Sequence, residues 1–378
     1  MAADIVTGWL RSNLPTHEGI EPPAVGHALP DRAIHEDAAG MDRCHFHREE
    51  CMSAIVKQSP YELRMTPLKT ANHLIGDRAA LDEAWDRDGY WFFKDALDKG
   101  AIAHLRNYWI RELEKQGVID PVGDNHTDKS VHYNGASLDR FPFRMEPLVE
   151  LAPWKAFVAE KPINDFFARV FGVDPFWVPI AEYRAVPPIA DKCRIRFDAI
   201  HQDGPYSPGI PFRICWIPLA EITQDIGGMA VCEGLTEKVN RHPLVNGTNT
   251  AIPPESLPDD RWRHTTCQAG DVLLMNMWTP HSGLSNISDR FRLSIDLRVM
   301  ETSPACPIVG HVVAITSECV TVKDASGERT FSIDDATYVR NTVGQKLIGD
   351  AISDFYRPGS PVILAHDNGR ASVVRPPH

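Results

Sequence analysis

The segment from Arg194 to Gly204, with the sequence RIRFDAIHQDG, constrains the fold of this chain more than any other. Its polar and apolar residues alternate as in a β-strand, and it ends in a His-Gln-Asp triplet. Because residues two apart on a strand point to the same side, His201 and Asp203 are predicted to present an imidazole and a carboxylate together. These two groups suit a single metal ion. The chain must then fold so that a third ligand reaches this strand end.

The best candidate for the third ligand is His281, in the segment MNMWTPHSG. The intervening chain is long enough to form several strands that return it to the same place. Two histidines and one carboxylate on one face of a metal, with the remaining positions open, form the facial triad of non-haem Fe(II) oxygenases. A His-x-Asp triplet alone is more often an ordinary surface or core pair, so the metal-site prediction depends on the complete ordered set.

An arginine and a serine follow the second histidine on a predicted strand, RLSIDLRV. Alternation puts four polar residues on one face of it and apolar residues on the other: Arg292, Ser294, Asp296 and Arg298. A guanidinium binds a carboxylate through two parallel charge-assisted hydrogen bonds, so Arg292 with Ser294 can clamp a dicarboxylate. Arg290 shares this face and is the alternative anchor, but it lies nearer the loop SNISD and is more typical of a solvated position.

These motifs occur in a fixed order along the chain: HQD, then WIPL at 216–219, GGM at 227–229, AGDVLLMNMWTPHSGLSN and DRFRLSIDLR. Over roughly residues 80–300 this ordered set resembles the phytanoyl-CoA dioxygenase family. The resemblance implies a mainly β fold, a double-stranded β-helix of the jelly-roll or cupin-like type with flanking helices. One departure is EGLTEK at 233–238, where the family usually has a glycine-serine-histidine turn, and this makes the substrate less predictable by analogy.

The resemblance also implies an activity, that of a non-haem iron, 2-oxoglutarate-dependent dioxygenase. His201, Asp203 and His281 would hold Fe(II), and 2-oxoglutarate would chelate the iron while its far carboxylate meets Arg292 and Ser294. Two neighbours are candidates for contact with the cosubstrate, Gln202 for its orientation and Trp216 for a wall of its pocket. Four further residues are candidates for contact with the substrate: Arg140, Arg144, Tyr183 and Arg213.

The expected reaction consumes O2 and 2-oxoglutarate, releases succinate and CO2, and hydroxylates an unactivated C–H bond of a small-molecule metabolite. Asp203 argues against a halogenase, which needs that coordination position for halide. Desaturation, epoxidation and ring closure use the same triad and stay open. A zinc hydrolase with the same ligands would leave Arg292 and Ser294 without a cosubstrate to hold. An inert binding protein, working through its C-terminal part, would have no need of an intact triad.

Composition excludes several classes of partner. The chain has 378 residues, 43% of them apolar, and a formal net charge of −12, which argues against a nucleic-acid surface. No apolar run approaches the roughly 20 residues that span a membrane, and the N-terminus does not read as a signal peptide. Eight scattered cysteines show no disulfide framework and indicate a reducing cytoplasm. The composition leaves a homo-oligomer open.

Three domains are predicted. Residues 1–75 form an irregular N-terminal extension. In it, Cys44, His47 and Cys51 belong either to a zinc site or to one side of a short helix. Residues 76–302 form the double-stranded β-helix domain, with the insertion at 241–262 as a candidate lid. Residues 303–378 form a small β-domain of alternating strands with the hairpin turns ASG and DNG. This last domain is expected not to supply the metal site.

Overall fold

The computed structural model describes residues 65–123, 128–139, 141, 145–189, 195–207, 209–239, 244–245, 249–250 and 252–377. All of them belong to one compact unit. The predicted zinc ligands Cys44, His47 and Cys51 lie outside the described residues. Among the described residues, no helix combines the length and the apolar character needed to cross a lipid bilayer.

The helices of the described part are short to medium in length. They are α1 Arg78–Asp88, α2 Lys99–Lys115, α3 Glu146–Leu151, α4 Trp154–Ala159, α5 Lys161–Phe171 and α6 Asp350–Phe355. Four 3-10 turns accompany them: Asn72–Leu74, Gly204–Tyr206, Pro254–Ser256 and Asp259–Arg261.

Helix α2 shows how local sequence sets these boundaries. Its N-terminal cap is Asp98, whose carboxylate accepts a hydrogen bond from the backbone amide of Ala101 at 2.8 Å. Asp95, three residues earlier, has a φ of 49° and pairs with Lys99. One apolar stripe of the helix is buried: Ile102, Leu105, Trp109 and Leu113.

Ten strands precede the C-terminal region. They are β1 Tyr90–Phe93, β2 Pro175–Val186, β3 Arg213–Pro218, β4 Met229–Cys232, β5 Leu244–Val245, β6 Asn249–Thr250, β7 Trp262–Arg263, β8 Val272–Asn276, β9 His281–Gly283 and β10 Arg292–Glu301. A large antiparallel sheet has the order β1-β8-β3-β10-β2, and a small one has the order β7-β4-β9, while β5 and β6 form a separate hairpin.

The large sheet has two differently covered faces. Its outer face packs against α1, α2, α4 and α5 through residues that include Leu293, Ile295 and Leu297. Its inner face packs towards the small sheet, with Trp216 and Leu273 in one core with Val231 of β4. Two antiparallel sheets packed face to face, with helices on one side, are the expected double-stranded β-helix, so the predicted fold class is confirmed.

The C-terminal region forms its own sheet. Its strands are β11 Ile308–Ile315, β12 Cys319–Asp324, β13 Gly327–Ser332, β14 Tyr338–Val339, β15 Pro361–Asp367 and β16 Arg370–Arg375. Their order is β13-β12-β11-β15-β16-β14, and a parallel pairing of β13 with β16 closes the sheet on itself as a small barrel. We call β11–β16 the C-terminal barrel.

The barrel has an apolar centre of its own, but it also shares a core with the rest of the protein. Ile363, Ala365 and Val373 pack in the core between the two sheets of the β-helix. The DNG hairpin is present, with positive φ angles of 48° at Asn368 and 85° at Gly369. The domain boundaries at 75 and 302 stay predictions.

The segment before the metal-ligand triplet differs from the prediction. The continuous strand predicted from Arg194 to Gly204 is wrong, because residues 195–203 make only isolated bridges, at Phe197 and at His201. After Asp203 the chain turns at once into the 3-10 turn Gly204–Tyr206, which contains Pro205. The alternating residues therefore belong to an irregular segment that runs beside β9.

Candidate metal centre

A backbone bridge brings the two histidines together. The amide of His201 donates to the carbonyl oxygen of His281, and the amide of His281 donates back, each at 3.0 Å. The two imidazole rings have centroids 4.3 Å apart. His281 is the first residue of β9 in the small sheet, so this pairing places both side chains at the start of that strand.

Asp203 completes the cluster. Its Oδ1 lies 3.5 Å from Nε2 of His201. One possible ligand atom from each of His201, Asp203 and His281 lies within 4.8 Å of the others, close enough for all three to bind one ion. Among the residues that the structure describes, this is the group of histidine, cysteine and acidic side chains with that property. The structure thus brings together the three residues that the sequence singled out.

Backbone carbonyls set the orientation of both imidazoles. Nδ1 of His201 lies 3.0 Å from the carbonyl oxygen of Ala199, and Nδ1 of His281 lies 2.9 Å from that of Thr279. A carbonyl oxygen can only accept a hydrogen bond, so each Nδ1 carries the proton. This tautomer leaves the lone pair on Nε2, as a metal ligand requires.

The charge states of His281 and Asp203 suit metal binding. Burial and, second to it, the nearby His201 lower the pKa of His281 to about 4, so His281 is neutral at pH 7. Burial raises the pKa of Asp203, but Arg298 and His201 outweigh that effect and hold it well below its usual range. Burial lowers the pKa of His201, whereas the hydrogen bond and the charge of Asp203 raise it overall. A neutral imidazole and an ionised carboxylate are ready to bind a cation.

Arg298 lies directly behind the carboxylate. Its Nη2 donates to Oδ2 of Asp203 at 2.7 Å, and both side chains are largely buried. One carboxylate oxygen is therefore held by Arg298, while the other faces His201. The sequence placed Arg298 on the same strand face as Arg292 but gave no reason to pair it with Asp203, because that contact depends on the course of the irregular segment before the ligand.

Arg292 is buried on the inner face, and one edge of its guanidinium is held by main chain. Its Nη1 donates to the carbonyl oxygens of Leu284 at 2.6 Å and Gly227 at 3.0 Å. Its Nη2 lies 3.6 Å from a carboxylate oxygen of Asp198. Ser294 follows on the same face and is fully buried. A guanidinium fixed in this way on one side is preorganised for an anion on the other.

Gly227 makes this contact with Arg292 possible because only a glycine fits there. Its φ is +69°, and a Cβ atom would lie 2.6 and 2.7 Å from the carbonyl oxygens of Ser285 and Leu284.

Replacing Gly227 by alanine is expected to lower the free energy of unfolding by about 2–4 kcal/mol, from left-handed strain and from the clash together. Gly117 is the matched control, because it has the same φ of +69° but open space around the site of a Cβ. Gly117→Ala should cost about 1–2 kcal/mol. Chemical denaturation measures both variants, and equal losses would contradict the close approach at Gly227.

Arg290, the alternative anchor, is engaged elsewhere. Its Nη1 donates to the carbonyl oxygen of Ser130 at 3.0 Å, and its side chain is about one third exposed. It tethers the loop before α3 to the start of β10. The structure favours Arg292 over Arg290 as the residue that faces the interior.

Trp216 and Gln202 have different positions. Trp216 is buried on the inner face, opposite Asp296 of the neighbouring strand, where it can wall a pocket. Gln202 points away from the triad: its amide nitrogen donates to the carbonyl oxygens of Glu237 and Trp278, and its amide oxygen accepts from Val239. Backbone groups take up this side chain, which ties loop 235–239 to the ligand segment, and the expected contact of Gln202 with the cosubstrate stays a prediction.

Two predicted substrate residues lie on the outer face. Tyr183 packs with its ring 5.4 Å from that of Trp109 in α2. Arg213 stacks on Trp85 of α1 and pairs with Glu301. Both side chains lie on this face because a one-residue difference in strand alternation moves a side chain to the other face of the sheet. Their contact with the substrate stays a prediction.

The neighbour of Tyr183 takes the inner position. Arg184 lies 3.4 Å from a carboxylate oxygen of Asp296 and 3.6 Å from one of Glu182. These side chains give the inner face a buried set of charges beside the triad. Arg184 was not predicted from the sequence. The apolar residues on either side of it indicate that its side chain lies on the opposite face of the strand from theirs. The other two predicted substrate residues, Arg140 and Arg144, lie outside the described residues.

Comparison with known proteins places this site in a family. A family model, phytanoyl-CoA dioxygenase (PhyH), matches residues 85–294, more than half of the chain. A 1-deoxypentalenic acid 11-beta-hydroxylase from Streptomyces exfoliatus is 27% identical over 248 residues, which are 61% of this chain and 83% of that protein.

Solved structures are similar at lower identity. The epimerase SnoN, in complex with Fe3+, alpha-ketoglutarate and nogalamycin RO, has a TM-score of 0.40 and 16% identity, with 79% of this chain and 99% of SnoN covered. EctD from S. alaskensis, with 2-oxoglutarate and 5-hydroxyectoine, has a TM-score of 0.39 and 20% identity, with 65% and 81% covered.

The family match spans all three residues of the cluster as well as Arg292 and Ser294. The donor set is the one that the sequence motifs predicted, on the fold that they predicted. This chain therefore belongs to the phytanoyl-CoA dioxygenase family and is a non-haem iron, 2-oxoglutarate-dependent dioxygenase.

Proposed function

We propose that this enzyme hydroxylates an unactivated C–H bond of a small-molecule metabolite, at an iron held by His201, Asp203 and His281. The observation that carries the proposal is the convergence of these three side chains on one point, with ligand atoms within 4.8 Å of one another. Two neutral imidazole nitrogens and one carboxylate oxygen are the donor set that Fe(II) oxygenases use. Desaturation, epoxidation and ring closure are the other outcomes open to the same site.

Bound iron supplies the oxidative chemistry, in which one atom of O2 enters the C–H bond as a hydroxyl group and the other enters succinate as 2-oxoglutarate loses CO2. The protein's own contribution is position and charge. Arg298 holds one oxygen of Asp203 at 2.7 Å and leaves the other free for the metal. The carbonyls of Ala199 and Thr279 hold the imidazoles in the tautomer that binds.

Arg292 and Ser294 are proposed to take the distal carboxylate of 2-oxoglutarate. The two residues follow one another on the same buried face of β10. The guanidinium uses Nη1 for main-chain carbonyls and its Nη2 lies 3.6 Å from Asp198, so a bound carboxylate would use Nε and would compete with Asp198 for Nη2. Trp216 on the inner face excludes water from this part of the pocket.

The substrate is inferred to be a small molecule, as the name of the 1-deoxypentalenic acid hydroxylase indicates for that relative. The inner face combines apolar side chains such as Trp216 with the buried charges of Arg184, Glu182 and Asp296. A substrate with an apolar frame and a few polar groups matches this lining. A cytoplasmic location and a homo-oligomer stay predictions from composition.

Succinate formation tests the proposed function. The purified protein is reconstituted anaerobically with Fe(II) and then exposed to O2 and 2-oxoglutarate. We expect succinate above the level of a metal-free control, slowly without substrate and faster with a metabolite that is accepted. A hydrolytic product formed with zinc and without 2-oxoglutarate would contradict the proposal and favour a zinc hydrolase. No succinate from a fully iron-loaded protein would favour an inert binding protein.

A further inference from the structure

The C-terminal barrel touches the chain immediately after the aspartate of the triad. Nη1 of Arg375, on β16, donates to Oγ of Ser207 at 2.6 Å, and both residues are almost fully buried. Nη1 of Arg340, in the loop after β14, lies 3.4 Å from the carbonyl oxygen of Tyr206. Two arginines of the barrel thus hold one short stretch of the β-helix domain.

The same stretch packs closely against the barrel through its backbone. Gly209 has a φ of +85°, and a Cβ there would lie 2.4 Å from the side-chain oxygen of Ser372 on β16. Just beyond it, Ile210 is fully buried in a core that includes Ala365 of β15. The barrel is therefore in direct contact with Tyr206, Ser207, Gly209 and Ile210.

A rigid turn connects these contacts to the ligand. The amide of Tyr206 donates to the carbonyl oxygen of Asp203 at 3.0 Å, and Pro205 lies inside the turn. A displacement of Ser207 would therefore reach the main chain of Asp203 through this turn. The Asp203 side chain is in turn held by Arg298 at 2.7 Å, so main chain and side chain of this residue are each held.

Arg375 is held at a position that is electrostatically unfavourable for a cation. Burial, with the neighbouring Arg340 and Arg298, lowers the pKa of Arg375 to about 9, and Glu182 only partly opposes them. Three arginines thus surround the segment that carries the metal-binding carboxylate. A fold that needed this residue for packing alone would be served better by an apolar side chain.

We propose that the C-terminal barrel is a working part of the metal centre, in which Arg375 is a positioning residue that sets the place of Asp203 through Ser207. The inference rests on the proposed iron site. The three residues of the metal cluster lie outside the barrel, but the barrel fixes where one of them stands. The family model ends at residue 294, before the barrel begins.

Metal binding by full-length variants tests this role. In Arg375→Met the side chain keeps much of its volume but loses its hydrogen bonds and charge. We expect its affinity for Fe(II), measured anaerobically, to fall about 10- to 100-fold, the range known for residues behind metal ligands. The visible absorption spectrum of the Co(II)-loaded protein should change, because the geometry around the metal changes. Arg375→Lys should recover part of the affinity.

Arg370→Met is the matched control, since Arg370 lies on the same strand and its side chain is 41% exposed. It should bind Fe(II) and Co(II) as the unaltered protein does. Ser207→Ala removes only the hydroxyl group that Arg375 contacts and should weaken Fe(II) binding several-fold in a folded protein. Unchanged affinity and an unchanged Co(II) spectrum in folded Ser207→Ala would overturn the inference, even if Arg375→Met did not fold. Absence of Fe(II) binding by the unaltered protein would instead overturn the iron site itself.

Discussion

Replacing Asp203 by alanine is expected to abolish iron binding. The change removes the one anionic ligand of the triad, and affinity for Fe(II) should fall more than about 100-fold, beyond the effect of residues that only support a ligand. It also leaves Arg298 buried without its carboxylate partner, which should cost about 3–5 kcal/mol of folding free energy.

A second substitution separates these two effects. Asp203→Asn keeps the volume and an acceptor for Arg298 but replaces an anionic ligand with a neutral one. It should lose iron binding while keeping more stability than Asp203→Ala. Asp296→Asn is the matched control, because Asp296 is a buried carboxylate of β10 that lies outside the triad. Metal analysis and thermal unfolding of the three variants measure both effects, and full iron occupancy in Asp203→Ala would contradict the site.

Replacing Arg292 by lysine is expected to weaken 2-oxoglutarate binding while iron affinity is kept. Lysine preserves the charge but loses the planar fork, and one hydrogen bond between charged groups contributes about 1.5–3 kcal/mol. The KM for 2-oxoglutarate should therefore rise about 10- to 100-fold. Some loss of stability is also expected, because Arg292 holds the carbonyl oxygens of Gly227 and Leu284.

Arg290→Lys is the matched control, since Arg290 lies two residues away and bonds the carbonyl oxygen of Ser130. Its KM for 2-oxoglutarate should stay close to that of the unaltered enzyme. The measurement is succinate formation as a function of 2-oxoglutarate concentration at saturating Fe(II). A large rise of KM in Arg290→Lys, with none in Arg292→Lys, would show that Arg290 and not Arg292 anchors 2-oxoglutarate.

The triad could be predicted from sequence because its chemistry depends on residue type and order. His201, Asp203 and His281 needed no coordinates, and the alternation around Arg292 placed Ser294 on the same buried face as the structure does. The local reasoning behind the triplet was less accurate: only His201 pairs as a strand residue does, with His281, and Asp203 lies at a turn.

Residues that depend on tertiary geometry could not be predicted. Tyr183 and Arg184 are neighbours, and only the packing of α2 against the large sheet decides which of them faces inwards. Gln202 follows the predicted ligand His201 in the sequence, but its side-chain amide is hydrogen-bonded to the backbone of loop 235–239. The pairing of Arg298 with Asp203 joins residues distant in sequence, across an irregular segment whose course no local pattern specifies.

The contact between the barrel and the ligand segment illustrates the same limit. Arg375 and Ser207 are far apart in sequence, and each occurs in an unremarkable context. Composition and hairpin turns correctly indicated a β-rich C-terminal region, but they carry no information about the surface on which it packs. That surface includes the residues next to Asp203, and this is why the barrel acquires a role at the metal centre.

Anaerobic titration of the metal-free protein with Fe(II), followed by 2-oxoglutarate, tests the metal centre and its cosubstrate site together. We expect one Fe(II) bound per chain, and 2-oxoglutarate binding that is tight only after iron is present, because the cosubstrate needs both the metal and Arg292. Failure to bind Fe(II), or 2-oxoglutarate binding of equal affinity with and without the metal, would contradict this expectation.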